Sequence, residues 1–429
     1  MIRNPEKLGL KELIAMGVGG MIGGGIFSVL GMAVGISGHA APLAFALGGL
    51  LAFVAGYSYV RLALTYHSDG ASFTYLEIAF PKHIRIAAIT GWTVIVGYVG
   101  TIALYAFTFG AYGADLFGYS GSVPVRHVLS LAVILIFLFI NLRGVKFAGN
   151  IEDIVVYGKI VLLSLLALAG ARVIQPERFS PLLDHGVASV FMAGALIFVA
   201  YEGFQLITNA VCESRQPERN IPLSIYGSIG IVLLIYTVLA IVAVGSMDVE
   251  VLIQAEEYAL AVAAGPVMGD WGPILVDVAA LLATASAINA TMFGASRMMA
   301  EMAKKHEMPR PFSFRNRGQV PWAAVCTIAL LSLMFTLLGG LGLIAAFSSM
   351  TFLLVSAAVG VANLRLRKQT GANVLLVVSG VMLIIVTMMT LVIYLIENDL
   401  PTLIWILAIY LTIVVAETGF IGRAGKATS

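Results

Sequence analysis

Charge is the scarcest commodity in this chain. Only 11% of its 429 residues are Asp, Glu, Lys or Arg, while 60% are hydrophobic, against roughly a quarter and a half in a soluble globular protein. A mean hydropathy of +0.97 excludes a soluble domain and implies a polytopic membrane protein. Cysteine is nearly absent. Cys212 and Cys326 suggest neither a disulfide framework nor a metal site. The six histidines are scattered without ligand spacing. No nucleophile–base pair stands out, which argues against an intramembrane enzyme. No cleavable signal peptide is visible; the charged start Arg3–Lys7 leads directly into a full-length apolar span.

What the chain has is apolar length. Runs of about 20 residues, enough to cross the hydrocarbon core, recur about twelve times: 11–37, 39–60, 86–114, 127–145, 151–171, 187–212, 222–246, 272–300, 322–339, 342–364, 374–396 and 401–421. With the N-terminus placed in the cytoplasm, 21 of the 25 lysines and arginines fall in inside segments and three (Arg126, Arg172, Arg178) outside, with Lys159 inside a span. That bias predicts a multi-pass protein of the plasma (inner) membrane with both termini cytoplasmic. The outer connector 247–271 carries Asp248, Glu250, Glu256, Glu257 and Asp270 but no Lys or Arg.

Two spans are interrupted. In the first, six of the eleven residues Gly17–Phe27 are glycine, each costing about 1 kcal/mol of helix stability against alanine. Close GxxxG packing fits Gly19 and Gly23 but does not account for three consecutive glycines. A helix that unwinds inside the bilayer does, provided its bare backbone lines a cavity or is covered by protein. In the sixth span, Phe198-Val199-Ala200-Tyr201-Glu202-Gly203-Phe204 puts a carboxyl beside a glycine at mid-span. Breaks five spans apart suggest two five-helix halves of inverted topology, residues 11–171 and 187–364, with spans 11 and 12 (374–421) appended. Free N–H groups at a half-helix start attract a carboxylate, and free carbonyls at a half-helix end attract an ammonium. Together the two breaks suit an amino acid.

These residues carry a resemblance. Gly19 through Phe27 is similar to the span-1 pattern G-x-x-x-G-[SG]-G-I-F of the amino acid–polyamine–organocation superfamily. Asp69–Phe80 with Gly91-Trp92 resembles its span 2–3 region, Asn141–Lys146 its span 4–5 junction, and Glu213–Pro222 its E-x-x-x-P-x-R-x-I-P element. Asn289, Ser296-Arg297, Met302-Ala303 and Met308-Pro309 are similar to its span 8–9 region. The resemblance implies an all-α LeuT-type fold, a 5+5 inverted repeat plus two helices, and an alternating-access importer of amino acids. Carried over by position, Ile22, Gly23, Gly24 and Gly25 meet the substrate's carboxylate and amine. Val199, Ala200 and Glu202 offer main-chain carbonyls, and the Tyr201 ring helps cover the site. No cofactor is implied; the coupling ion is a proton. The implied partners are a small amino acid or amine and the lipid bilayer, not nucleic acid. An exchanger of the same fold is the alternative; an ion channel or nutrient-sensing receptor is the alternative of another class.

Lys159 lies about nine residues into span 5, roughly 13 Å deep at 1.5 Å per residue, where a lysine costs about 3 kcal/mol or more. Snorkelling and a static buried ion pair are open readings. The resemblance implies a third: an ammonium bridging the carbonyls of Gly19 and Ile22 and the Ser286 hydroxyl, whose loss of a proton releases span 1. Glu202 departs from the family's usual aliphatic residue. It reads as a counter-ion for a cationic substrate group, as a proton carrier, or as a protonated carboxyl bonded to nearby backbone. Among the remaining polar residues, Glu152 and Asp153 suit a helix N-terminus. Asp277 and Glu417 lie near span ends, within reach of water. Asn209, Asn289 and Asn363 suit interhelical hydrogen bonds, and Arg297, Lys304, Lys305, Arg310, Arg315 and Arg317 form a basic rim.

Overall fold

A computed structural model describes residues 7–68, 70–143, 149–316 and 318–427, with the side chains of 84, 149–154 and 421–427 excepted. Asp69, Gly144–Lys146, Arg317 and the side chains of Glu152 and Asp153 lie outside the described residues. So do Arg3 at the N-terminal end, with the side chains of Arg423 and Lys426.

With no water in the bilayer to satisfy backbone groups, apolar runs close their hydrogen bonds internally as helices. The chain does so throughout: α1 Leu10–Met21, α2 Gly25–Ser37, α3 Ala41–Tyr66, α4 Ala71–Ala79, α5 Ile84–Leu116, α6 Val123–Leu142, α7 Gly149–Gly170, α8 Gly186–Ile197, α9 Gln205–Thr208, α10 Pro217–Ser246, α11 Val249–Ala255, α12 Ala259–Met268, α13 Trp271–Lys304, α14 Trp322–Leu338, α15 Leu341–Arg365, α16 Arg367–Thr370, α17 Val374–Asn398 and α18 Leu400–Ala427. No strand forms among the described residues; one isolated bridge joins Leu8 to Ser214.

Ten helical stretches among them are long and apolar enough to cross a membrane, and Val155–Gly170 and Trp322–Leu338 are shorter apolar helices. This is a polytopic all-α membrane protein of about twelve helices. The bookkeeping differs from the sequence reading in two places. Gly25–Tyr66 runs as one 42-residue stretch, joining half of span 1 to span 2. The connector 247–271 is also helical over Val249–Met268, but as helices of 7 and 10 residues divided at Glu256, each too short to cross alone.

The deep core is α5. It lies against α6, α13, α14 and α15, and its crossing window is 89% buried. The outermost helices are the opposite: α6 and α18 have windows only 22% buried, with Leu135, Ile136, Trp405 and Leu411 exposed. Apolar side chains facing outward are the natural surface for lipid rather than water.

Two expectations about isolated acids fail. Asp277 is 2% exposed and Glu417 has no exposed surface, so proximity to a span end does not bring either to water. Their helix faces turn inward. Asn289 and Asn363 do join helices: Asn141 Nδ2 donates to Asn289 Oδ1 at 2.9 Å, and Asn363 Nδ2 to Ser58 Oγ at 3.3 Å.

Candidate functional site

The first interruption occupies three residues. Helix α1 stops at Met21 and α2 starts at Gly25, leaving Ile22, Gly23 and Gly24 outside both. At Ile22 the backbone leaves helical space, with φ −80° and ψ 66°. The first N–H groups of α2 have no intrahelical partner by construction, and the residue at the cap, Gly24, has no side chain to offer them.

The carbonyls that α1 leaves behind are all taken. Lys159 Nζ, on α7, donates to Ile22 O at 2.6 Å and to Gly19 O at 3.2 Å. It also reaches Ser286 Oγ on α13 at 3.4 Å; that hydroxyl donates to Ala283 O and so is free to accept from the ammonium. Tyr105 on α5 donates to Gly20 O at 3.1 Å. Tyr236 on α10 donates to Met21 O at 2.7 Å and lies 3.4 Å from Ala200 O. One ammonium and two phenols from three helices therefore hold the end of α1. Lys159 is 2% exposed. It does not snorkel, because its ammonium finds carbonyls at its own depth.

The second interruption has a different form. Span 6 does not open into extended chain. Between α8 and α9 it tightens to a 3₁₀ helix over Phe198–Phe204, every residue of which is buried. Part of its backbone is already committed: Val199 N–H donates to Ser349 Oγ at 3.0 Å, and the Gln205 N–H bonds back to Glu202 O. The two interruptions touch. A Cβ added at Gly203 would stand 2.2 Å from Gly20 C and 2.3 Å from Met21 N, and one at Gly25 would stand 2.5 Å from Ala200 Cβ. Small residues on both segments let the backbones meet.

Ile22, Gly23, Gly24, Gly25, Val199, Ala200, Glu202, Lys159 and Gly19 are thus gathered around one point. Tyr201 is not aimed there. Its hydroxyl donates to Phe45 O on α3 at 2.9 Å, and its ring edge meets Tyr236 at 5.2 Å. The rings beside the break are those of Tyr105, against which Gly23 and Gly24 lie, and Tyr236. Sequence reasoning passed over both. The available signal was a phenol deep inside an apolar span, where its hydroxyl must find a partner. The site is closed in this structure, with Ile22, Val199, Ala200 and Tyr201 at most 1% exposed.

Elsewhere, the basic residues sit apart from this point. Arg297 covers the Phe293 ring and lines, with Asn141, Ser296, Arg315 and Gln319, a cavity of about 180 Å³. Lys305 pairs with Glu77 at 3.0 Å.

Residues 8–416 match the family model described as "Amino acid permease". The chain belongs to the amino acid permease family. The permease is 31% identical over 414 residues to the inner membrane transport protein YbaT of Escherichia coli, covering 96% of each chain. It is 32% identical over 351 residues to an uncharacterised protein of Methanocaldococcus jannaschii, covering 82% of this chain and 80% of that one. It is 27% identical over 251 residues to the methylthioribose transporter of Bacillus subtilis, covering 55% and 54%. The permease is therefore a transporter of amino acids or related small molecules, not an enzyme.

Proposed function

We propose that this permease imports amino acids with a proton as coupling ion, by alternating access, across the plasma (inner) membrane with both termini cytoplasmic. The single observation that carries the reading is the hold of Lys159 on Gly19, Ile22 and Ser286 at the interruption of span 1. The substrate carboxylate sits at the start of α2, against Gly23, Gly24 and Gly25, with the Gly23 N–H itself held by Met21 O. Its amine takes carbonyls of Ile22, Val199, Ala200 and Glu202, while the ring near Tyr201 that closes over it is that of Tyr236. Spans 1–5 and 6–10 form the two inverted halves, and spans 11 and 12 flank them.

A protonated Lys159 ties α1 to α7 and α13. Proton loss removes the tie and frees α1 to move. One proton then biases a two-state element. Radiolabelled uptake by purified protein in liposomes, with and without an imposed pH gradient, tests this. Lys159→Ala should lower gradient-driven accumulation about tenfold or more, the scale of a lost charge-assisted hydrogen bond or two. Accumulation that persists in the variant would sink the proton reading. Counterflow without pH dependence would favour the exchanger of the same fold.

A further inference from the structure

The cavity beside Arg297 lies away from the interrupted spans. It holds about 180 Å³ between α6, α13, α14 and the loop that precedes α14. Two guanidiniums line it, Arg297 from α13 and Arg315 from the loop, and among the described residues no carboxylate does. Neither arginine is ion-paired among the described residues. The walls are well fixed. Asn316 Oδ1 accepts from the N–H groups of Gly318 and Val320 at 2.9 and 3.0 Å, and Asn316 Nδ2 donates to Leu142 O at the end of α6 at 3.0 Å. Arg315 Nη1 donates to Gln319 O at 2.9 Å. The guanidinium carbon of Arg297 stands 3.3 Å from the centre of the Phe293 ring. A guanidinium laid on a ring keeps its in-plane N–H donors for other partners.

Two like charges that face one space repel each other. An anion between them turns that repulsion into two attractions. Arginine's fork of donors matches the oxygens of carboxylate and phosphate. A carboxylate has two oxygens and satisfies one fork, whereas a phosphate group presents more and meets both. The position of the cavity also bears on the occupant. Phe314 is 56% exposed in the same loop, and Trp322, the first residue of α14, is 47% exposed. Further along α14, Leu330 and Leu331 are exposed as well. Exposed aromatic residues at the start of an apolar span mark the level of the lipid headgroups.

We infer that the cavity between Arg297 and Arg315 binds a phosphate group, carried by an anionic lipid headgroup or present as the free anion. The test is the unfolding temperature of the purified permease in detergent. Phosphatidylglycerol, phosphatidylcholine with the same acyl chains, or millimolar inorganic phosphate is added. Phosphatidylglycerol should raise the temperature several degrees more than phosphatidylcholine, whose choline cancels the phosphate charge, by mass action on the folded state. Arg297→Gln and Arg315→Gln should each remove most of that difference. Lys304→Gln removes an equal charge from the same end of α13, but Lys304 pairs with Glu301 outside the cavity, so the difference should survive. A rise with inorganic phosphate that both arginine variants lose names the free anion as the occupant; a rise with the lipid alone names the headgroup. Equal response of the wild type to both lipids, with none to phosphate, overturns the site, and this arm depends on no variant folding. A difference retained in both arginine variants also overturns it. So does an equal loss in Lys304→Gln, which would make the two arginines part of a diffuse basic rim.

Discussion

A hydroxyl or an ammonium in the middle of a membrane protein has no water to fall back on, so each one reports a decision of the fold. Lys159 and Tyr236 show this at the end of α1, where they satisfy carbonyls that the broken helix abandons. The lysine stood out from its depth in an apolar span. The tyrosine did not, because a single tyrosine among apolar residues is as much a core residue as a donor. Removing the Tyr236 hydroxyl leaves Met21 O buried with one donor fewer, a loss of about 1–3 kcal/mol. Tyr236→Phe should therefore unfold at a lower temperature in detergent than the wild type, by several degrees, in a thermal scan of the purified protein. An unchanged transition would mean that the Gly23 N–H, 2.9 Å from the same carbonyl, suffices by itself.

Among elements, the contact between the two interrupted spans is the most sharply constrained. Gly203 lies against backbone atoms of Gly20 and Met21 that cannot rotate away. Gly203→Ala should cost about 1–3 kcal/mol, the range for overpacking, and should abolish uptake in liposomes. Gly158 provides the contrast. It lies one residue from Lys159, yet a Cβ there meets nothing within 4 Å. Gly158→Ala should raise thermal stability slightly, by up to about 1 kcal/mol of helix propensity, with uptake retained. Equal damage at both positions would mean that glycine acts through backbone flexibility rather than close approach. The glycine run itself was legible as a break in span 1, since three consecutive glycines suit neither a straight helix nor ordinary packing. The form of the second break was not. A 3₁₀ helix differs from an α-helix by one hydrogen-bond register, and the residues Phe198–Phe204 contain no signal that selects it.

At the scale of the whole molecule, long-range polar links tie the ends of the bundle together. Beyond the end of α13, Trp92 Nε1 donates to Glu307 O at 2.9 Å, and Lys305 pairs with Glu77. Burial pushes the Glu307 carboxyl above the ordinary carboxylate range, with Glu77 and Glu417 adding to the rise and Lys305 opposing it. A carboxyl whose affinity for protons is higher when folded favours the fold at low pH. That contribution is lost as pH rises through its raised pKa. Glu307→Gln should accordingly stabilise the purified protein near pH 8 and make little difference near pH 4, read as the shift in unfolding temperature. A stabilisation of equal size at both values would count against a charge effect. Orientation belongs to this scale too. A tag at either terminus should be cleaved by protease added to inside-out vesicles and protected in right-side-out ones, as the distribution of lysine and arginine predicts.

Membership of the membrane class, the number and approximate limits of the spans, and the two places where a helix could not run through were written in the amino-acid order. Apolar length, scarce charge and clustered glycine act locally, and the bilayer reads them one segment at a time. The partners of each polar group were another matter. Asp277 and Glu417 looked free to reach water and are buried; Tyr201 turns to Phe45 while Tyr105 and Tyr236 serve the break. These pairings join residues tens to hundreds of positions apart. They depend on the rotation of each helix about its axis, which the packing of its neighbours sets and no local pattern encodes.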